Sequence, residues 1–161
     1  MMDIGRSINP AIDYGQIEGA FVQGQGLFTM EESLWTKTGE IFTKGPGTYK
    51  IPGFSDIPQV FNVSTLQQYS DGKPISWGKL RSIQSSKGTG EPPLFLGSTV
   101  FFALREAVKA ARQMNNVTAP LVLHAPSTAE KLRLAVGDDL VRRAAVTPKE
   151  DEKEFFIRIE A

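Results

Sequence analysis

Apolar residues recur at helical spacing in three stretches of this chain and alternate or scatter between them. In the first stretch Asn9 and Pro10 form a start signal, a capping side chain followed by a residue preset for the first turn. Ile17, Phe21 and Phe28 follow at helical spacing, so the pattern predicts a helix from Pro10 to about Glu32. Gly15, Gly19, Gly24 and Gly26 stand inside it, each costing about 1 kcal/mol relative to Ala. Gly15, Gly19 and Gly26 fall within roughly 40° of one another around the helix axis. They form a strip without side chains, flanked by Gln16 and Gln23. Tight helix packing and a ligand face suit such a strip equally.

The second stretch, LFLGSTVFFALREAVKAARQM, predicts a helix starting near Gly97–Ser98. Val100, Phe101, Leu104, Ala107, Val108 and Ala111 make its buried face, and Arg105, Lys109 and Arg112 its wet face. Asn115 and Asn116 end it. The third, STAEKLRLAVG, sets Ser127 and Glu130 at capping-box spacing and stops at Gly137.

Between and around the helices the pattern turns to strand and loop. MMDI has the look of a strand's end. A hairpin is expected around Thr38-Gly39, an ordered loop over the Gly- and Pro-rich GPGTYKIPGFSDIP, and a strand over QVFNVSTL. A turn at Asp71-Gly72 precedes another strand near Ile75–Ser82. APLVLHAP suits a short strand, and Phe155, Ile157 and Ile159 a terminal one. Trp35, Phe42, Tyr49, Phe54 and Phe61 are most simply core and sheet residues. Helices and strands mix without a regular βαβ period, so the expected class is α+β, mixed helices and short sheets in a single domain over residues 1–161.

Charge and composition narrow the function. Lys plus Arg and Asp plus Glu are both 18, giving no electrostatic support for nucleic-acid or membrane-surface binding. With no cysteine the chain holds no disulfide, zinc ribbon or iron–sulfur cluster of its own, and its one histidine, His124, cannot build a His-rich metal site. No metal-ligating residue is therefore expected. MMDIGRSINP lacks the apolar core of a signal peptide, which points to the cytosol, with a peroxisomal location as the alternative. GTGEPP and GQGLFT both fall short of a nucleotide-binding loop.

One carboxylate stands out. Glu91 sits between Gly90, which lets the backbone pass close to a neighbour, and Pro92-Pro93, which fix the backbone after it. The helix ahead favours a negative charge at its N-terminal end. Such a rigidly held carboxylate can serve as an aimed general base. From these residues alone, a Glu that simply satisfies the helix end is the simpler account.

The segment GEPPLFLGSTVFFALREAV closely resembles the active-site segment of the xanthine dehydrogenases, the molybdenum hydroxylases of purine catabolism. MDIGRSINPAIDYGQIEGAFVQGQGLFTMEE resembles their cofactor-facing helix, and FTKGPGTYKIPGF, SSKG and STAEKLRLAV also fit, in the family's order. The resemblance implies a C-terminal portion of a molybdopterin-binding region, with Glu91 as general base and Gln16, Thr89 and Gly90 approaching the molybdenum cofactor. It implies oxidation of hypoxanthine and xanthine to urate, electrons passing through 2Fe-2S clusters and FAD to NAD or oxygen, and a homodimer in the full-length family. The iron–sulfur and FAD domains are absent from these 161 residues, so the lone chain is expected to be inactive until it meets the remaining molybdenum-domain segments. GEPP favours the xanthine dehydrogenase branch over aldehyde oxidases, while a paralogue acting on another N-heterocycle could share it. The competing expectation is a non-catalytic truncated product or partner-binding fragment.

Overall fold

A computed structural model describes residues 1–5, 7–66 and 87–145, together with the backbone of 69–70 and 73–74. The expected turn at Asp71-Gly72 and the strands near Ile75–Ser82 and over Phe155–Ile159 lie outside the described residues. Four α-helices are present among those described: α1 (Pro10–Thr29), α2 (Ser98–Met114), α3 (Ala129–Val136) and α4 (Asp139–Ala144). The only strands there are β1 (Tyr69–Ser70) and β2 (Lys73–Pro74), an antiparallel pair of two residues each. The α+β expectation therefore holds only in part, because the described fold is helical with very little strand. The chain groups into two compact units, one of Met1–Gln25 with Pro52–Gly97, the other of Gly26–Ile51 with Ser98 onward. Residues 10–25 of α1 belong to the first and residues 26–29 to the second.

In the first unit Asn9 caps α1, its side-chain oxygen accepting the backbone N–H of Ala11 at 3.1 Å. The helix buries Ile17 and Ala20 alongside Ile4, while Pro93 is fully buried. Phe21 meets the ring of Phe61 edge-on, with centroids 5.2 Å apart. The expected strand over QVFNVSTL does not form. A strand needs a ladder, and among the described residues this segment's backbone pairs with Met2 alone, through an isolated parallel bridge to Thr65. The loop from Pro52 is ordered as expected: a 3-10 turn covers Phe54–Asp56, and Asp56 accepts the Gly53 N–H at 2.8 Å. Phe54, expected in the core, is 95% exposed.

The second unit begins with the end of α1, which stops at Thr29 and not near Glu32. The Gly26 carbonyl accepts both the Met30 and the Glu31 N–H, closing the last turn. The expected hairpin is present as a tight turn with one antiparallel bridge, Trp35 to Ile41, and Gly39 takes a left-handed φ of 87°. Trp35 itself is exposed. Along α2 only Val108 is buried among the apolar residues, and Arg112, expected on the wet face, is buried instead. Its guanidinium donates to the carbonyls of Ala135, at 2.6 Å, and Ala119. That second bond replaces the sheet pairing expected of APLVLHAP, which forms no strand. The capping box also resolves differently. Thr128 is the residue before α3, and Ser127, almost wholly buried, donates its N–H to the Phe28 carbonyl at 2.9 Å. Gly137 ends α3 in the left-handed region, as its position predicts. Helix α4, which the periodicity did not announce, is capped by Asp138, whose side chain accepts the Val141 N–H at 3.0 Å. No helix among the described residues is long and apolar enough to cross a membrane.

Candidate functional site

Gln16, Thr89, Gly90 and Glu91 all lie in the first unit. Gln16 is on the second turn of α1 and exposed. Its carboxamide stands against Gly90 so closely that a Cβ there would be 2.5 Å from the Gln16 Oε1. The absent side chain of Gly90 is what leaves room for the amide beside this backbone. Thr89, half-buried, donates its hydroxyl to the Lys87 carbonyl at 3.2 Å. Glu91 is exposed, and its carbonyl accepts the Leu94 N–H at 3.0 Å, opening the 3-10 turn Pro92–Gly97 that runs into α2. The two prolines lack N–H groups, so the first donor available to close this turn is Leu94. The carboxylate is therefore carried on a backbone with little freedom.

The segment leading into the site is tied down as well. Lys87 donates its N–H to the Ile4 carbonyl at 3.0 Å, and its ammonium pairs with Asp3. The Ile4 segment is in turn tied at Met2, whose N–H reaches the Ser64 carbonyl at 3.0 Å. Asp3 is held below the usual carboxylate range, first by the hydrogen bond from Lys87 and then by the Gly5 N–H. A carboxyl with a lowered folded value adds stability above its ordinary value of 3.8 and loses it as pH falls through the lowered one. Wild type should therefore melt above Asp3→Asn by a constant margin at higher pH, and the margin should close below pH 3.8. A margin unchanged in acid would refute the tie.

Gly15 and Gly19, expected to form a close-approach strip, are exposed, and a Cβ on either would meet no protein atom within 4 Å. Backbone packing happens instead at Gly24, on the other side of α1, against the turn that follows Glu91. Sequence reasoning missed Gly24 and Gly97 as site-building residues. The available signal was the position of Gly24 on the same face as Ile17 and Ala20, where a large apolar residue would be usual. The Asp3–Lys87 pair, 84 positions apart, left no local signal.

The donor set is an amide, a hydroxyl and backbone beside a carboxylate. Among the described residues no three His, Cys, Asp or Glu side chains gather as metal ligands do. The amide, the hydroxyl and the backbone groups can exchange hydrogen bonds with a bound group, and the carboxylate can accept a proton.

The sequence model of the molybdopterin cofactor-binding domain matches residues 1–58. Over 98% of its length the chain is 63% identical to a nicotinate hydroxylase of Emericella nidulans and 60% identical to a xanthine dehydrogenase of the same organism. A xanthine dehydrogenase/oxidase of Gallus gallus is 50% identical over 88% of the chain. The chain spans about a tenth of the length of these relatives, 10%, 11% and 10% respectively.

Proposed function

We propose, from the fact that this chain belongs to the xanthine dehydrogenase-like molybdenum hydroxylases, that it is the part of such an enzyme that brings a general base to the oxygen that attacks the substrate carbon. The base is Glu91. The observation that carries this is the meeting of Gln16 with Gly90 at the residue next to Glu91. It joins, at one place, the residue pointed to the cofactor and the residue pointed to the chemistry.

The molybdenum cofactor, when bound, supplies the oxygen atom and accepts two electrons. The rest falls to this chain. Gln16 hydrogen-bonds the cofactor through its amide, and Thr89 and Gly90 line the approach. Glu91 Oε takes the proton from the attacking oxygen, and the proline frame keeps the carboxylate aimed at it. A carboxylate so placed spends no binding energy on finding its orientation at the moment of reaction.

The substrate we favour is a purine, hypoxanthine or xanthine going to urate. Both present an electron-poor carbon next to ring nitrogen. The 63% identity to a nicotinate hydroxylase favours a second reading, in which the ring is a pyridine carboxylate. Glu91 would do the same work on either. Residues 1–161 would be one portion of a molybdopterin-binding region in a cytosolic homodimer. Substrate-holding residues, 2Fe-2S clusters and FAD would come from the rest of the polypeptide, with NAD or oxygen as final acceptor. Many large apolar side chains here are exposed, among them Phe95 at 72% and Phe102 at 56%, which suits a piece meant to be covered.

The test is the intact mass and molybdenum content of the native polypeptide that carries this sequence, with oxidation of xanthine and of nicotinate assayed side by side. The expected result is a mass several times 17.7 kDa, bound molybdenum and turnover of one of the two rings. A 17.7 kDa product without molybdenum would leave the motifs stranded in a non-catalytic protein and sink the proposal.

A further inference from the structure

Helix α1 and the turn after Glu91 touch backbone to backbone. A Cβ on Gly24 would fall on the Leu94 carbonyl oxygen and 2.9 Å from its carbon. A Cβ on Gly97 would stand 2.5 Å from the Gln25 nitrogen and 2.6 Å from the Gly24 Cα. Real Cβ atoms essentially never come within 3.0 Å of such neighbours, and backbone atoms cannot swing aside as a side chain does. The Leu94 carbonyl therefore excludes a side chain at Gly24, and the Gly24–Gln25 backbone excludes one at Gly97. Gly24 and Gly97 are both buried, and Gly24 lies within roughly 40° of Ile17 and Ala20 around the helix. The crossing is part of the packed face.

The same two segments meet a second time, through a side chain. Gln16 is two turns before Gly24 on α1, roughly 12 Å along the axis. Gly90 precedes Gly97 on the other segment, and Gln16 lies against Gly90. The Gln16–Gly90 contact is soft, since a flexible side-chain end makes it, whereas the Gly24–Gly97 contact is hard. The hard contact sets the position of the segment along the helix, and Glu91 lies between the two contacts in the chain.

We propose that Gly24 and Gly97 are positioning residues, whose backbone crossing fixes where Glu91 stands along α1 and hence how far it is from Gln16. The proposal rests on the reading of Glu91 as general base. It adds that the base is placed from behind, by two residues that touch neither cofactor nor substrate.

The experiment uses the full-length enzyme with Gly24→Ala, Gly97→Ala, Gly90→Ala and Glu91→Gln made separately. In Gly24→Ala and Gly97→Ala, kcat per bound molybdenum should fall about 10²-fold, the usual result of displacing a reacting group by ~1 Å. KM and molybdenum content should stay near wild type, which a merely unstable enzyme would not show. Hydrogen exchange, read independently of activity, should speed up at Leu94, whose N–H bonds to the Glu91 carbonyl. Unchanged exchange, or unchanged kcat in a soluble variant, overturns the proposal. Should neither glycine variant accumulate, Gly90→Ala decides. With the crossing rigid, its methyl can only displace the Gln16 amide, and kcat per molybdenum should drop at least ~10-fold. A smaller drop overturns the proposal. Near-normal turnover in Glu91→Gln removes the general base instead, while the exchange data still report on the crossing.

Discussion

Glu91→Gln in the full-length enzyme is expected to lower turnover at least about 10²-fold, the lower range for a lost general base. The amide keeps the size and shape of the carboxylate but accepts no proton into a stable form. Molybdenum content should be unchanged, because the residues assigned to holding the cofactor, Gln16, Thr89 and Gly90, are intact. Fold should be unchanged as well, since Glu91 is exposed and its backbone bond to Leu94 does not involve the side chain. Both kcat and kcat/KM should fall together, the pattern of a group that acts only in the transition state. Steady-state kinetics normalised to bound molybdenum gives the answer, and near-normal turnover would remove Glu91 from the chemistry.

Arg112 carries the second large effect, on stability. Its buried guanidinium donates to Ala135 at 2.6 Å and to Ala119, and its own carbonyl accepts the Val117 N–H at 2.9 Å. One planar fork thus ties the end of α2 to the loop behind it and to the last turn of α3. Arg112→Met fills part of the volume but leaves two carbonyls without donors. Charged hydrogen bonds are worth about 1.5–3 kcal/mol each, so a loss of roughly 3 kcal/mol or more is expected for opening this region. Amides of α3 should then exchange about 10²-fold faster. Arg112→Lys should recover only part of this, because a single ammonium does not span two carbonyls in the fork geometry. Equal exchange in Arg112→Met and wild type would show that the fork holds nothing.

The helices were legible in the sequence wherever a start or stop signal coincided with apolar spacing. Asn9-Pro10, the Gly97-Ser98 junction and Gly137 all mark real boundaries. The strands were less so. QVFNVSTL and APLVLHAP have the right alternation, but a strand is a property of two segments, and neither finds a ladder among the described residues. Arg112 was misplaced for a related reason. Helical periodicity counts it as charged, whereas its environment supplies two carbonyls that only a long cationic fork can reach. Glu91 was legible as a held carboxylate from Gly90 and the two prolines. That its neighbour Gly90 meets Gln16, 74 positions away, came only with the folded backbone.

The crossing of Gly24 and Gly97 has a genetic consequence. A change in the first or second base of any glycine codon gives alanine, valine, serine, cysteine, arginine, tryptophan, an acidic residue or a stop. Every such missense change puts a carbon where the opposing backbone already is. At Gly90 the obstacle is the tip of the Gln16 side chain, which can rotate. Inherited variation at this locus should therefore be depleted of missense alleles at the first two codons more sharply than at the third, even though the third adjoins the base.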